Sequence, residues 1–220
     1  VKITYYNLGE KRKRLQKKIV LFLLFSFLIS ISLITLSFAN DKNMTNANAK
    51  VIDLNKIEKT KKQVKLDKFK LEYFTGVTGN EKITQNALKY SKLYDLDLST
   101  FIAIMKTESN FNPKSINYNK NGSIDRGVCQ LNSNTFPNLE IKDFYNIETN
   151  IKFASSFFNW CIKHSDDNIY KALAYYNAGI GNVSRKKIGE QTLNYIHKVL
   201  NEKEKINKEF INYIEQCKLK

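Results

Sequence analysis

Glu108 is the residue whose neighbours best suit it to acid chemistry. It closes an apolar run containing Phe101, Ile102, Ile104 and Met105, and a polar stretch rich in Asn, Lys, Gly and Ser follows it. A carboxyl held against apolar side chains loses solvation when it ionises, so its pKa rises. An acid still protonated near neutrality can donate to a leaving oxygen. A lone glutamate at a helix end is ordinarily a solvated surface group, so the reading depends on what accompanies it.

Five ordered segments accompany it. Glu108-Ser109-Asn110-Phe111-Asn112-Pro113 is followed by Ser123-Ile124-Asp125-Arg126-Gly127-Val128-Cys129-Gln130-Leu131-Asn132, then by Asn146-Ile147-Glu148-Thr149-Asn150-Ile151. Next come Ala172-Leu173-Ala174-Tyr175-Tyr176-Asn177-Ala178-Gly179-Ile180-Gly181 and Glu190-Gln191-Thr192-Leu193-Asn194-Tyr195-Ile196-His197-Lys198-Val199. In this order and at these intervals, residues 80–200 resemble the soluble lytic transglycosylase domain, a lysozyme-like family. The Ser-x-Asp-x-Gly-x-x-Gln-x-Asn pattern looks closest to the branch associated with secretion and conjugation machines.

The resemblance implies a mainly α, lysozyme-like helical domain with a substrate groove and one essential glutamate at Glu108. It implies cleavage of the bond between N-acetylmuramic acid and N-acetylglucosamine in bacterial peptidoglycan. Glu108 would protonate the glycosidic oxygen and then take the proton of the muramic acid C6 hydroxyl, leaving a 1,6-anhydro end. One carboxylate suffices for that, whereas ordinary glycosidases use two. Asp125 is the candidate second carboxylate if the outcome is hydrolysis, as in a lysozyme-like muramidase. A wall-binding module that no longer cuts is the alternative of another class. The expected substrate-binding residues are Gln130, Tyr176, Asn177, Tyr195, Ser123, Asn132 and Gly127. Each also has a plainer reading: Gly127 as a turn glycine, Gln130 as a partner for loop backbone, Ser109 as loop support, Tyr175 as core. The chain departs from the family's usual Gly-Leu-Met-Gln with Gly127-Val128-Cys129-Gln130, and four extra residues separate Glu108 from Gln130. No metal or cofactor is implied.

Positioning these residues takes helices. Ile83, Ala87, Tyr90 and Tyr94 recur at three- and four-residue intervals, as on one face of a helix. Asp97 is a candidate cap for the apolar helix that carries Glu108, and Asn112-Pro113 ends the helical register. Residues 114–127 read as a loop. Further helices are expected near 148–163, 168–177 and 190–200. A charged, amphipathic tail over 201–220 suggests a last, exposed helix.

The N-terminal third differs. Ile19 to Ala39 carries no charge and follows Lys11-Arg12-Lys13-Arg14 and Lys17-Lys18. A basic flank (residues 1–18) before an apolar segment (residues 19–39) directs export, with the C-terminal part outside. At about 1.5 Å per residue the run can span a hydrocarbon core of about 30 Å. Ser37-Phe38-Ala39 nevertheless resembles a cleavage site, so an anchor in the cytoplasmic membrane and a cleaved signal both stay open. Residues 40–72, rich in Lys and Asn, read as a flexible linker, with a short helix using Val51, Leu54 and Ile57 as the alternative. The catalytic domain is expected over 73–200. The net charge is +15. Part of it falls before the folded part, +6 in residues 1–18 and +4 in residues 40–72. Charge of this kind suits an anionic wall polymer or a membrane surface. No zinc-ligand spacing or basic–aromatic stripe supports nucleic acid as a partner. The expected location is the bacterial cell envelope outside the cytoplasmic membrane, with peptidoglycan strands and a secretion or other envelope assembly as partners. Cys129, Cys161 and Cys217 are too few for a disulfide framework; three buried thiols is the plain reading, one pair plus a free thiol the alternative.

Overall fold

The computed structural model describes residues 56–186 and 188–218. The basic flank 1–18, the apolar segment 19–39 and the linker as far as residue 55 lie outside the described residues. Among the described residues no helix is long and apolar enough to cross a membrane. The chain divides into two units, Val1–Val64 and Lys65–Lys220. In the first, residues 56–64 are helical and exposed, with Lys62 and Glu58 paired across one turn at 2.8 Å.

The second unit is mainly helical. Residues 65–78 form α1; then come α2 (Glu81–Leu93), α3 (Leu98–Ser109), α4 (Ile141–Tyr145), α5 (Ile147–Lys163), α6 (Ile169–Ala178), α7 (Ile180–Ser184) and α8 (Glu190–Lys218). Between α3 and α4 lies a three-stranded antiparallel sheet of β1 (Ile116–Tyr118), β2 (Ile124–Arg126) and β3 (Leu131–Asn132), in that order. Residues 114–127 are therefore not simply a loop. Strands of two or three residues, rich in Asn, leave no alternating apolar pattern to read.

The helix starts follow one rule. Asn80, Asp97, Asn146 and Asn168 each accept a hydrogen bond from the backbone N–H three residues on, at 3.2, 3.3, 3.0 and 3.1 Å. Each satisfies a donor that the first helical turn leaves without a partner. At the other end of α3, Asn110 and Phe111 both take positive φ, 50° and 64°. These two residues turn the chain sharply immediately after Glu108 and Ser109.

Phe101 to Met105 are five consecutive residues with no exposed surface. A helix apolar on every side is a central helix, and α3 is surrounded accordingly, packing on α2 and α8 while α5 packs on α2 and α6.

Two expectations from sequence are corrected at the edges. Residues 56–72, read as flexible linker, are helical. Phe69, Tyr73 and Val77 recur every four residues along α1, a stripe that the surrounding lysines obscure. Residues 201–218, read as a last, exposed amphipathic helix, are helical but continue α8 without a break. Ile206 is fully buried. Tyr73 packs on Phe210 and Tyr213 with ring centroids 5.1 and 5.5 Å apart, Phe74 on Phe210 at 5.3 Å, and Phe69 on Tyr213 at 6.2 Å. Such aromatic pairs add to the area they bury. The folded unit thus extends beyond 73–200 at both ends. Phe74→Ala is expected to cost about 3–5 kcal/mol, and truncation after Leu200, which strips Ile206 and Phe210 from the core, to cost at least as much; urea denaturation of each variant checks both.

Candidate active site

Glu108 sits in the last turn of α3, half-buried. Its Oε1 accepts a hydrogen bond of 2.8 Å from the Tyr195 hydroxyl on α8. Loss of solvation dominates its titration and pushes the pKa up to about 8; the Tyr195 hydrogen bond pulls it down, and the negative charge of Asp125 pushes it up. At neutral pH the carboxyl is therefore mostly protonated. With Oε1 occupied by Tyr195, the proton rides on Oε2, the oxygen left for a substrate. Tyr195 itself is buried, and burial raises its pKa well above the usual phenol value, so it remains a donor.

Behind Glu108 runs the turn 126–130, held by three helices. From α3, Ser109 donates to the Val128 carbonyl at 2.7 Å. From α6, Tyr176 donates to the Cys129 carbonyl at 3.1 Å. From α5, Asn150 accepts from the Cys129 N–H at 2.8 Å and donates to the carbonyls of Arg126 and Phe144 at 2.9 and 2.8 Å. Asn150 is 1% exposed, so a buried amide is satisfied on both of its ends. Gly127 has φ of 81°, and a Cβ there would collide with the Asn150 side chain and the Phe144 carbonyl. The glycine is needed for the close approach of Asn150, a residue that sequence reading quoted within a motif but gave no role. Its position among the buried faces of α5 was the signal available.

The sheet supplies a second, polar surface. Its register places Asn117 opposite Asp125 and Asp125 opposite Asn132. Asp125 Oδ1 accepts from Asn132 at 2.6 Å, and Oδ2 accepts from Asn119 and Asn117 at 2.8 and 3.2 Å. Buried Ser123 joins the same network, accepting from Asn132 at 2.8 Å and donating to Asn121 at 2.8 Å. Ser123, Asp125 and Asn132 therefore act as one unit.

The remaining expected residues divide. Tyr176 is half-buried, and burial raises its hydroxyl well above the usual phenol value, with the charge of Glu108 adding to the rise; Tyr175 lies in the core. Gln130 takes φ of 50° and folds its amide onto the Gly127 carbonyl at 2.9 Å, the local backbone contact of its plainer reading. Asn177 is exposed, and its carbonyl accepts from Thr192 at 3.0 Å, tying α6 to the start of α8. Cys129 and Cys161 are buried free thiols and Cys217 is a partly exposed one. Burial raises the Cys129 thiol well above its usual value and pushes Cys161 up to about 12.

The Transglycosylase SLT domain family matches residues 85–199, more than half of the chain. The chain belongs to that family. The matched segment of this SLT domain holds Glu108, the sheet, the turn 126–130, Tyr176 and Tyr195, but neither α1 nor the second half of α8. Among solved structures, the chain is similar to the lytic transglycosylase Slt from Pseudomonas aeruginosa, in an inactive mutant form. Identity is 19% over 59% of this chain and 24% of that one, with a TM-score of 0.49. The 70 kDa soluble lytic transglycosylase from Escherichia coli matches at 21% identity over 54% and 23%, TM-score 0.46. A lysozyme from Litopenaeus vannamei matches at 20% identity over 54% and 94%, TM-score 0.33. The chain covers about a quarter of the length of the two transglycosylases.

Two outcomes are expected for this SLT domain. Asn150→Ala leaves the Cys129 N–H and two carbonyls unpaired and should cost roughly 2–4 kcal/mol by denaturant unfolding. Glu108→Gln should change how stability depends on pH. A carboxyl whose pKa rises on folding leaves stability intact below its unfolded value near 4.5; stability then declines as pH climbs toward about 8. The variant should match the parent near pH 4 and exceed it by a few kcal/mol near pH 9, read as melting temperature across that range.

Proposed function

We propose that the protein is a peptidoglycan lytic transglycosylase that cleaves the β-1,4 bond between N-acetylmuramic acid and N-acetylglucosamine. The observation that carries this reading is the protonated, half-buried Glu108, its pKa pushed to about 8 and one oxygen held by Tyr195, in a chain of the SLT family. The glycosidic oxygen takes the proton from Glu108 Oε2 as the bond to C1 breaks. The resulting carboxylate then accepts the proton of the C6 hydroxyl while that oxygen bonds to C1, closing a 1,6-anhydro ring and returning the acid to its starting state. Asp125, its carboxyl oriented by the amides of Asn117, Asn119 and Asn132, supports the positive charge that develops at C1. Asn132 holds Asp125, Ser123 braces Asn132 in turn, and the three line the sugar's path. Tyr176, Tyr195, Gln130, Asn177 and Gly127 complete the substrate surface, Gly127 by allowing the turn that Asn150 grips.

A second reading, hydrolysis, is favoured by one observation: Asp125 lies close enough to influence Glu108 electrostatically. A protonated acid in a dry setting beside an ionised one in a polar setting is the arrangement of a retaining muramidase. Against it, both Asp125 oxygens already accept amide hydrogens from the same sheet.

The Ser123-to-Asn132 pattern supports membership of the branch associated with secretion and conjugation machines. The basic and apolar segments at 1–39 support action outside the cytoplasmic membrane, whether anchored or released, with such an assembly as partner.

Mass spectrometry of purified peptidoglycan after digestion tests the chemistry. Ends in 1,6-anhydromuramic acid are expected; reducing ends would replace the transglycosylase by a muramidase, and intact wall would replace both by a binding module. Glu108→Gln should lower the rate by about a thousandfold or more. Because the protonated acid is the active form, kcat/KM should fall as pH rises through about 8, and a rate that instead grows from pH 6 to 9 would remove Glu108 from the acid role.

A further inference from the structure

Beside the candidate site, α3 and α8 enclose an open cavity of about 500 Å³ lined by Lys106, Thr107, Lys198, Asn201, Glu202 and Lys205. It shares both helices with the acid. Thr107 precedes Glu108, and Lys198 stands nearly one turn beyond Tyr195, whose hydroxyl holds Glu108. A turn advances about 5.4 Å, so along these two helices the lining of the cavity begins within about one turn of Glu108 and Tyr195.

Three lysines here face one glutamate. Lys106 and Glu202 neutralise each other in a half-buried pair at 2.7 Å. Lys205 meets Glu209 only at 4.0 Å, in an exposed pair. Lys198 is exposed, and among the described residues it forms no ion pair. By contrast, Lys203 on the same helix is paired with Asp97 at 3.0 Å. The cavity therefore keeps an excess of positive charge at Lys198 and Lys205. Around it stand an exposed amide, Asn201, and the Thr107 hydroxyl, which donates to its own helix at Ala103 and leaves its oxygen free to accept. That set suits a flexible ligand bearing carboxylates among amide groups. Asn201, Glu202 and Lys205 lie past the end of the SLT match at residue 199, so half of the lining comes from this chain's extension of α8.

We infer that this cavity binds the acidic peptide carried by the muramic acid sugar, with peptide carboxylates on Lys198 and Lys205, while Glu108 acts on the adjacent glycosidic bond. The inference rests on peptidoglycan being the substrate. Lys205 lies ten residues beyond Tyr195 on α8, about 15 Å at about 1.5 Å per residue, a distance that a stem of four or five extended residues spans at about 3.3–3.6 Å each. Exposed ammonium–carboxylate contacts are weak singly and screened by salt, so the peptide adds to binding without holding the strand alone.

Two measurements on the full chain test it. The first uses a fluorescent N-acetylated tetrapeptide stem with free carboxylates, read by anisotropy. The double variant Lys198→Glu/Lys205→Glu should weaken its binding about tenfold or more, and salt at about 0.5 M should weaken binding to the parent. The same peptide with amidated carboxylates should bind the parent no better than the acidic peptide binds the variant. Equal binding by parent and variant, indifference to amidation, or no binding to the parent would each overturn the inference. The second compares wall strands bearing stems with strands stripped by an amidase: the variant should raise KM several-fold more for the former, and an equal change on both would overturn it. A parent that binds the peptide yet cuts neither strand would reject the glycan-cleaving reading while leaving the peptide site standing.

Discussion

A carboxyl stays protonated near neutrality only where packing keeps it away from water on the protein side, and the elements around Glu108 are arranged to hold it so. The apolar length of α3 places the carboxyl at the end of a dry helix. Asn110 and Phe111, both at positive φ, turn the chain away at once, so no further helical turn covers it. Across from it the turn 126–130 closes the protein side, with Val128 and Cys129 fully buried in the core. It depends on hydrogen bonds from three helices, above all the fully used amide of Asn150. A buried amide of this kind is stabilising only when every polar atom has its partner, which is why Gly127 and Asn150 form one unit.

The two carboxyl groups sit in opposite surroundings a short way apart. Glu108 accepts from one buried hydroxyl; Asp125 accepts three side-chain amide hydrogens. Desolvation favours the neutral form of the first. Asp125 then raises the pKa of Glu108 through its charge. A sheet of two- and three-residue strands is an unpromising element for stability, yet it is well suited to lining up Asn117, Asp125 and Asn132 across a pleated surface.

α8 links these parts. Its 29 residues carry Tyr195 to the acid, Val199 and Ile206 to the core, Lys198 and Lys205 to the basic cavity, and Phe210 and Tyr213 to α1. The segments outside the SLT match thus supply part of the packing that fixes α8, the helix that carries Tyr195.

Much of this was legible from residues alone. Capping residues Asn80, Asp97, Asn146 and Asn168 mark helix starts by their own chemistry, and the apolar run before Glu108 announced a buried helix with a carboxyl at its end. The five ordered motifs pointed to the family, and the plain reading of Tyr175 was core. These signals are local: a cap, a period and a motif each act within a few residues. What sequence could not supply were contacts between residues distant along the chain. The stripe Phe69–Tyr73–Val77 looked like linker because its lysines dominate composition, and only Phe210 and Tyr213 across from it give that stripe something to bury against. Asn150 looked like one more polar residue of α5 until the turn 126–130 closed on both ends of its amide. Ser123, Asp125 and Asn132 could be named singly, but strand register made them one network. The order of helices and the candidacy of Glu108 were thus written locally, whereas the dryness of its surroundings and the partners of its neighbours belong to packing, which no run of neighbouring residues encodes.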